Sequence, residues 1–237
     1  WMYRNLRSHS FMLPLPELVA ALNDQAPTIL TTYPSAALLL AEEAAAGRLR
    51  IPVNEVWVGG ESLSESTREC ITRGLGCPVS QSYGASEFLS LASECQHGRL
   101  HLNTDWAVLQ PVDAQHRPVP VGETGFTTLL TNLANRVQPL IRYDLGYRVR
   151  FAPQACACGS ALPVIEVQGR VDDLLELDDA LGRPVSLLPL ALTTVLEDDA
   201  GVFDFQLQQR SRHALWLCIA AEGADAAAAL QRAQAVL

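Results

Sequence analysis

The 237-residue sequence contains no lysine: all 17 of its basic residues are arginine, set against 26 acidic ones. A guanidinium is a permanently charged fork of donors, so chemistry that needs a compact or titratable ammonium has no candidate side chain in this chain. Positive charge is scarce overall, with a formal net charge of -9. That excludes a phosphate-tracking nucleic-acid face, which requires clustered bases. No apolar run approaches the roughly 20 residues that span a bilayer. No basic segment followed by an apolar stretch opens the chain as a secretory leader. The expectation is a cytoplasmic, soluble protein that works on small molecules, with neither a nucleic-acid nor a membrane partner. With 49% hydrophobic residues, it has enough apolar surface for a sizeable core.

Cysteine is also sparse. Six unevenly spaced cysteines do not make a small disulfide scaffold, so they read as thiols or metal ligands. Cys70, Cys77 and Cys218 sit among apolar or helical residues and read as packing. Cys95 and His101 are six residues apart, while Cys156 and Cys158 form a Cys-x-Cys pair. A fold that closes the intervening segment brings them together as a Cys3His zinc site, with His97 competing with His101 as the fourth ligand. Four protein ligands leave no open position, which makes such a site structural. Free thiols beside a surface histidine are the plain alternative. His9, His116 and His213 have no partner nearby in sequence.

Along the chain, strand-like and helix-like segments alternate first: 28–33 extended, 35–46 helical, 55–58 extended, 64–74 helical with a serine cap, and 78–81 extended. This alternation predicts an α/β layer with parallel pairing. Ligands then gather beyond the strand ends, at the loops near Gly59 and Ser82. From 101 to 167 the pattern becomes β-rich with Pro/Gly turns, predicting a small β-subdomain. Beyond Gly169 it predicts an α+β unit: strands at 174–177, 203–208 and 215–221, and helices at 187–196 and from about Ala224.

Four stretches carry possible chemistry: Gly59-Gly60-Glu61, Ser82-Tyr83-Gly84-Ala85-Ser86-Glu87, Pro139-Leu140-Ile141-Arg142-Tyr143-Asp144-Leu145-Gly146, and Gly169-Arg170-Val171-Asp172-Asp173. A nucleotide requires an aromatic face, small residues that admit backbone, a hydroxyl near phosphate and a carboxylate for Mg2+. Tyr83, Gly84, Ser86 and Glu87 supply those in order. Taken alone, the same residues serve equally as a strand-to-helix turn, the first stretch as a tight turn, and the last as a solvated ion pair.

In this order the four stretches resemble the adenylate-forming superfamily of acyl-CoA synthetases, adenylation domains and luciferases. With Thr131-Asn132-Leu133 and Cys156-Ala157-Cys158-Gly159 alongside, the text is closest to phenylacetate-CoA ligase and its relatives, from about Thr28 onward. The resemblance implies the C-terminal part of a large α/β adenylating domain (1–171, β-subdomain about 101–167), followed by a hinge and an incomplete α+β small domain (172–237). It implies Gly59, Gly60 and Glu61 along the adenine edge, Tyr83 against the base, Ser86 on phosphate and Glu87 on Mg2+. It implies Arg170 on the ribose and Asp172 as hinge. Some relatives carry structural zinc at a comparable cysteine group.

ATP or AMP, Mg2+, Zn2+ and CoA are thus the expected cofactors and co-substrates, and a small carboxylic acid and a thiol acceptor the expected partners. An aryl acid is favoured, with Tyr33, Pro34, Ser35, Ser82 and Phe88 as candidate acyl-pocket residues. The motif departs from the family at Tyr147, where relatives have an aspartate that accepts both ribose hydroxyls; Asp144, three residues earlier, can compensate. The family's phosphate loop and late lysine are expected outside this segment, since Trp1-Met2-Tyr3-Arg4 reads like the interior of a longer chain. The segment alone is therefore expected not to adenylate. A catalytically silent nucleotide- or acyl-binding module, or a zinc-containing interaction module, are the other readings.

Overall fold

The computed structural model describes residues 6–10, 12–179, 181–220 and 223–237. The chain divides into two compact units, Trp1–Leu63 with Thr67–Ser80, and Ser64–Ser66 with Gln81–Leu237. This division falls at 80/81, whereas the sequence reading places its domain boundary at 171/172. The predicted hinge therefore lies inside the second unit.

The first unit holds α1 (Leu15–Gln25), β1 (Ile29–Thr32), α2 (Pro34–Ala45), β2 (Glu55–Gly59), α3 (Glu65–Leu75) and the first residues of β3 (Val79–Ala85). Pro34 opens α2, where its fixed φ and missing N–H cost nothing. The second residue of that helix, Ser35, donates both its N–H and its Oγ–H to Glu61, at 3.0 Å each. β1 and β2 pair in parallel, Ile29 opposite Glu55, as the alternation of strand and helix predicts. Leu22, Leu40, Val56, Val58 and Ile71 form the buried centre of this unit.

The second unit begins on the same strand, and the pairing changes. β3 turns through Ser86-Glu87 directly into β4 (Phe88–Glu94), and so short a link permits only antiparallel pairing. Ser82 therefore lies within a strand rather than in a loop, and the chemistry-bearing turn is four residues further on. β5 (Leu100–Leu102), β9 (Tyr147–Phe151) and β10 (Val164–Arg170) complete the order β3-β4-β5-β10-β9. β6 (Ala107–Val112), β7 (Thr127–Asn132) and β8 (Tyr143–Asp144) make a separate three-stranded sheet. The β-rich stretch expected as one subdomain is thus shared between two sheets. Local pattern sets strands, but pairing partners are non-local. Leu91, Leu102, Leu109, Leu130, Val149 and Ile165 pack between these strands with Tyr83.

The α+β tail follows the prediction except for β12, a strand the sequence reading does not include. β11 (Leu175–Asp178) and β12 (Pro184–Leu187) form one hairpin, and β13 (Phe205–Ser211) and β14 (Ala214–Ile219) another. Between them α4 (Pro189–Thr194) widens into a π turn over Val195–Asp199, closed by Ala200 N–H to Val195 O at 3.0 Å. α5 (Gly223–Val236) buries Ala229 and Ala233 against Leu196 and Val202. Among the described residues, no helix is long and apolar enough to cross a membrane.

Candidate functional site

A cavity of about 490 Å3 opens in the second unit where three loops meet. The β3/β4 turn brings Ser86 and Glu87, the β8/β9 region brings Asp144, Gly146 and Tyr147, and the end of β10 brings Arg170 and Asp172. Ser86, Glu87, Tyr147, Arg170 and Asp172 were selected from three separate stretches of sequence, and all five line this one cavity.

Tyr83 does not line it. The ring is 8% exposed, sunk into the core and turned edge-on to Tyr147, with centroids 5.7 Å apart and planes at 77°. Among the described residues, its buried hydroxyl has no hydrogen-bond partner. Burial, with Tyr147 and Glu87 close by, pushes the phenol above its ordinary range, so it stays a donor. The Tyr83 ring is therefore turned inward, and the aromatic residues lining the cavity are Phe126, Tyr143 and Tyr147. Gly84 has a structural reason as well: a Cβ there would lie 2.0 Å from the Leu89 carbonyl oxygen, so only glycine fits the hairpin. Phe88 packs against the same core.

The Gly59-Gly60-Glu61 turn belongs to the first unit, and its residues are not among those lining the cavity. Gly60 has φ +85°, and a Cβ would meet the Tyr33 ring at 2.8 Å. Glu61 is engaged by Ser35. Tyr33, Ser35, Gly60 and Glu61 are thus one local cluster at the start of α2.

Sequence reasoning missed Phe126 and Thr127 in the cavity wall, where Tyr143 of the third stretch also lies. Thr127 donates its hydroxyl proton to Asp144, whose same oxygen accepts the Gly146 N–H at 2.9 Å. That pair fixes the turn entering β9 and places the Asp144 carboxylate at the cavity, where it had been suggested only as a substitute for a carboxylate at Tyr147. Just before β8, Arg142 takes φ +52° and donates to Gln110 Oε1 at 2.8 Å, tying the start of β8 to β6.

Elsewhere in the second unit, Cys95, His101, Cys156 and Cys158 bring their donor atoms within 4.8 Å of one another. Cys95 Sγ and Cys156 Sγ are 3.7 Å apart, too far for a disulfide and close to the edge of a tetrahedron with ~2.3 Å metal–sulfur bonds. Cys158 Sγ lies 3.3 Å from His101 Nε2, while His101 Nδ1 meets the Leu162 carbonyl at 2.8 Å. That carbonyl takes a proton on Nδ1 and leaves Nε2 as the donor atom for a metal. His101 is buried on β5 and belongs to the cluster, whereas His97 is exposed and lies outside it. Burial raises the Cys95 thiol, but hydrogen bonds from the His97 and Arg99 backbone and from His101 and Cys156 outweigh it and bring it to about 6. At Cys156, hydrogen bonding from the Cys158 backbone leads a lowering. The donor types, separations and closed geometry fit a tetrahedral Zn2+.

The fold is similar to that of solved CoA ligases. Similar solved structures include 2-hydroxyisobutyryl-CoA ligase in the postadenylation state with 2-HIB-AMP, at 22% identity and TM-score 0.76, covering 94% of this chain and 51% of that one. The anthranilate CoA ligase AuaEII with anthranoyl-AMP matches at 15% identity and TM-score 0.66, over 93% of this chain and 45% of that one. A benzoate CoA ligase from Burkholderia xenovorans matches at 17% identity and TM-score 0.62, over 94% and 47%. The chain thus spans about half the length of these structures. No family model matches the sequence. No curated protein matches it either.

Proposed function

We propose that the chain is the nucleotide-facing part of an ATP-dependent acid–thiol ligase. The complete enzyme would join a carboxylate to the α-phosphate of ATP, releasing pyrophosphate, and then pass the acyl group to CoA or another thiol. The observation that carries this reading is the convergence of Ser86, Glu87, Tyr147, Arg170 and Asp172 on one cavity. In it, Ser86 donates to phosphate, Arg170 binds the ribose and adjoining anionic oxygens, and Glu87 is the carboxylate suited to hold Mg2+. Bound there, the cation would neutralise phosphate charge. Asp144 offers a ribose acceptor where Tyr147 does not. Asp172 is the hinge. An aryl acid such as phenylacetate is the favoured substrate.

Cys95, His101, Cys156 and Cys158 would hold Zn2+ as a clip between the turn after β4 and the loop before β10. It would serve the fold rather than the reaction, because all four positions are filled by protein. Titration calorimetry with a non-hydrolysable phenylacetyl-adenylate analogue tests the reading: one site per chain supports it, and no heat from folded protein contradicts it.

A second reading is favoured by composition: with no lysine, the chain supplies no ammonium to stabilise the attack on phosphate, and it acts alone only as a nucleotide- or acyl-binding module. Both readings predict binding. They separate on ATP–pyrophosphate exchange by the complete protein, which the ligase performs and the silent module does not. The zinc-containing interaction module predicts zinc without any nucleotide binding.

A further inference from the structure

Tyr147 stands where the resemblance implies a carboxylate that accepts hydroxyls, and its surroundings give it another task. β9 and β10 run antiparallel with Val167 opposite Val149, but the next pair is Arg170 opposite Tyr147. Three steps on β10 therefore match two on β9, and the extra residue is taken up as a bulge. Gly169 lies in it with φ +100°, a conformation that side chains with a Cβ adopt rarely. A one-residue slip exchanges the faces of a strand, so the bulge is what sets Arg170 beside Tyr147. The guanidinium carbon lies 5.7 Å from the Tyr147 ring centroid, within cation–π range. Its ion-pair partner, Asp172, is 3.9 Å away with its side chain 83% exposed, a screened contact that positions little. The Tyr147 ring is in turn held by the edge of the buried Tyr83.

We propose that Tyr147 is a positioning residue for Arg170: the column Tyr83, Tyr147, Arg170 holds the guanidinium over the cavity, where its N–H fork meets the oxygens of the ligand. This rests on the nucleotide reading of the cavity and deepens it. The pocket takes up the ligand with an aromatic-braced cation at this corner, and the ring, not the phenol hydroxyl, is the working part of Tyr147. The bulge glycine aims the pair. Tyr83 serves from below, as a brace, so both tyrosines act without touching the base.

The test is a double-mutant cycle on AMP affinity, read by calorimetry with the folded state checked by circular dichroism. Tyr147→Phe keeps the ring and is expected to bind within about twofold of the parent. Tyr147→Leu removes the ring and is expected to weaken AMP about three- to fivefold. In an Arg170→Ala background the same leucine substitution is expected to have no further effect, because the residue it positions is gone. Tyr147→Met serves the same purpose if the leucine variant does not fold. Additive losses in the double variant, or a phenylalanine variant as weak as the leucine one, overturn the proposal while leaving the nucleotide reading intact. A parent protein that does not bind AMP overturns the nucleotide reading and this proposal with it.

Discussion

The cysteine–histidine cluster and the cavity belong to the same unit, yet they are built on opposite plans. In the cluster, four donors lie within 4.8 Å of one another, and His101 is fixed from behind by a carbonyl. In the cavity, Ser86, Asp144 and the pair Arg170 and Asp172 come from three separate turns and face an open space of about 490 Å3. A closed, mutually satisfied donor set stabilises the chain that holds it. An open set of polar groups around a void leaves its hydrogen bonds for something that comes and goes. The first should therefore answer for stability and the second for affinity, and substitutions can separate the two.

The largest effect is expected at the cluster. Cys158→Ser, or incubation with a strong chelator, should remove one zinc per chain by elemental analysis and lower the melting temperature by roughly 10 °C or more. A protein that carries no metal and melts unchanged with chelator would break the comparison on its stability side. Gly84→Ala comes next. Its Cβ would fall 2.0 Å from a backbone oxygen, so the β3/β4 hairpin must shift, at a cost of about 3 kcal/mol in urea unfolding. This variant sharpens the contrast, because it damages the frame of the cavity without altering a polar group in it.

On the affinity side, Arg170→Ala should weaken AMP about tenfold, with the melting temperature changed by no more than about 2 °C, since the side chain is half exposed and loses only screened contacts. The smallest effect belongs to the Asp179 turn. Hydrogen bonds from the Arg183 backbone and side chain hold its carboxyl below the ordinary carboxylate value. A lowered native value means that the ionised form stabilises the fold above the unfolded value of 3.8, and that this contribution fades as pH falls through the native one. Asp179→Asn should therefore reduce urea stability slightly at pH 7 and converge with the parent in acid.

How much of this could be read beforehand differed between the two regions for a physical reason. Cys95, His101, Cys156 and Cys158 are few and chemically distinct, so two close pairs declared a candidate site before any pairing was known. What spacing left open was the choice between His97 and His101, decided by which one lies on a strand facing inward. The cavity was legible only as fragments. Ser86, Glu87, Arg170 and Asp172 stood in recognisable stretches. Thr127 and Asp144, 17 residues apart, are joined only because β7 and β8 pair, and nothing local marks Thr127.

The same limit explains the fold. The helices and three of the four strands of the α+β tail follow local periodicity and lie within a few residues of their expected places, whereas β12 was not expected. The division of the β-rich stretch into two sheets depends on long-range pairing, which periodicity does not encode. Tyr83 follows the stretch 78–81 expected as a strand, but the strand continues through it into the hairpin and its ring lies in the core. Gly60 and Glu61 likewise find their partners at the start of α2, 26 residues back in the case of Glu61 and Ser35.

The most direct test of the central claim is a crystal structure of the chain with a non-hydrolysable acyl-adenylate bound. The account predicts the nucleotide in the cavity, with Ser86 near its phosphate, Arg170 braced on Tyr147 beside the ribose, and the Tyr83 ring still buried. An adenylate bound away from Ser86, Tyr147 and Arg170, or a saturated crystal with an empty cavity, would contradict it.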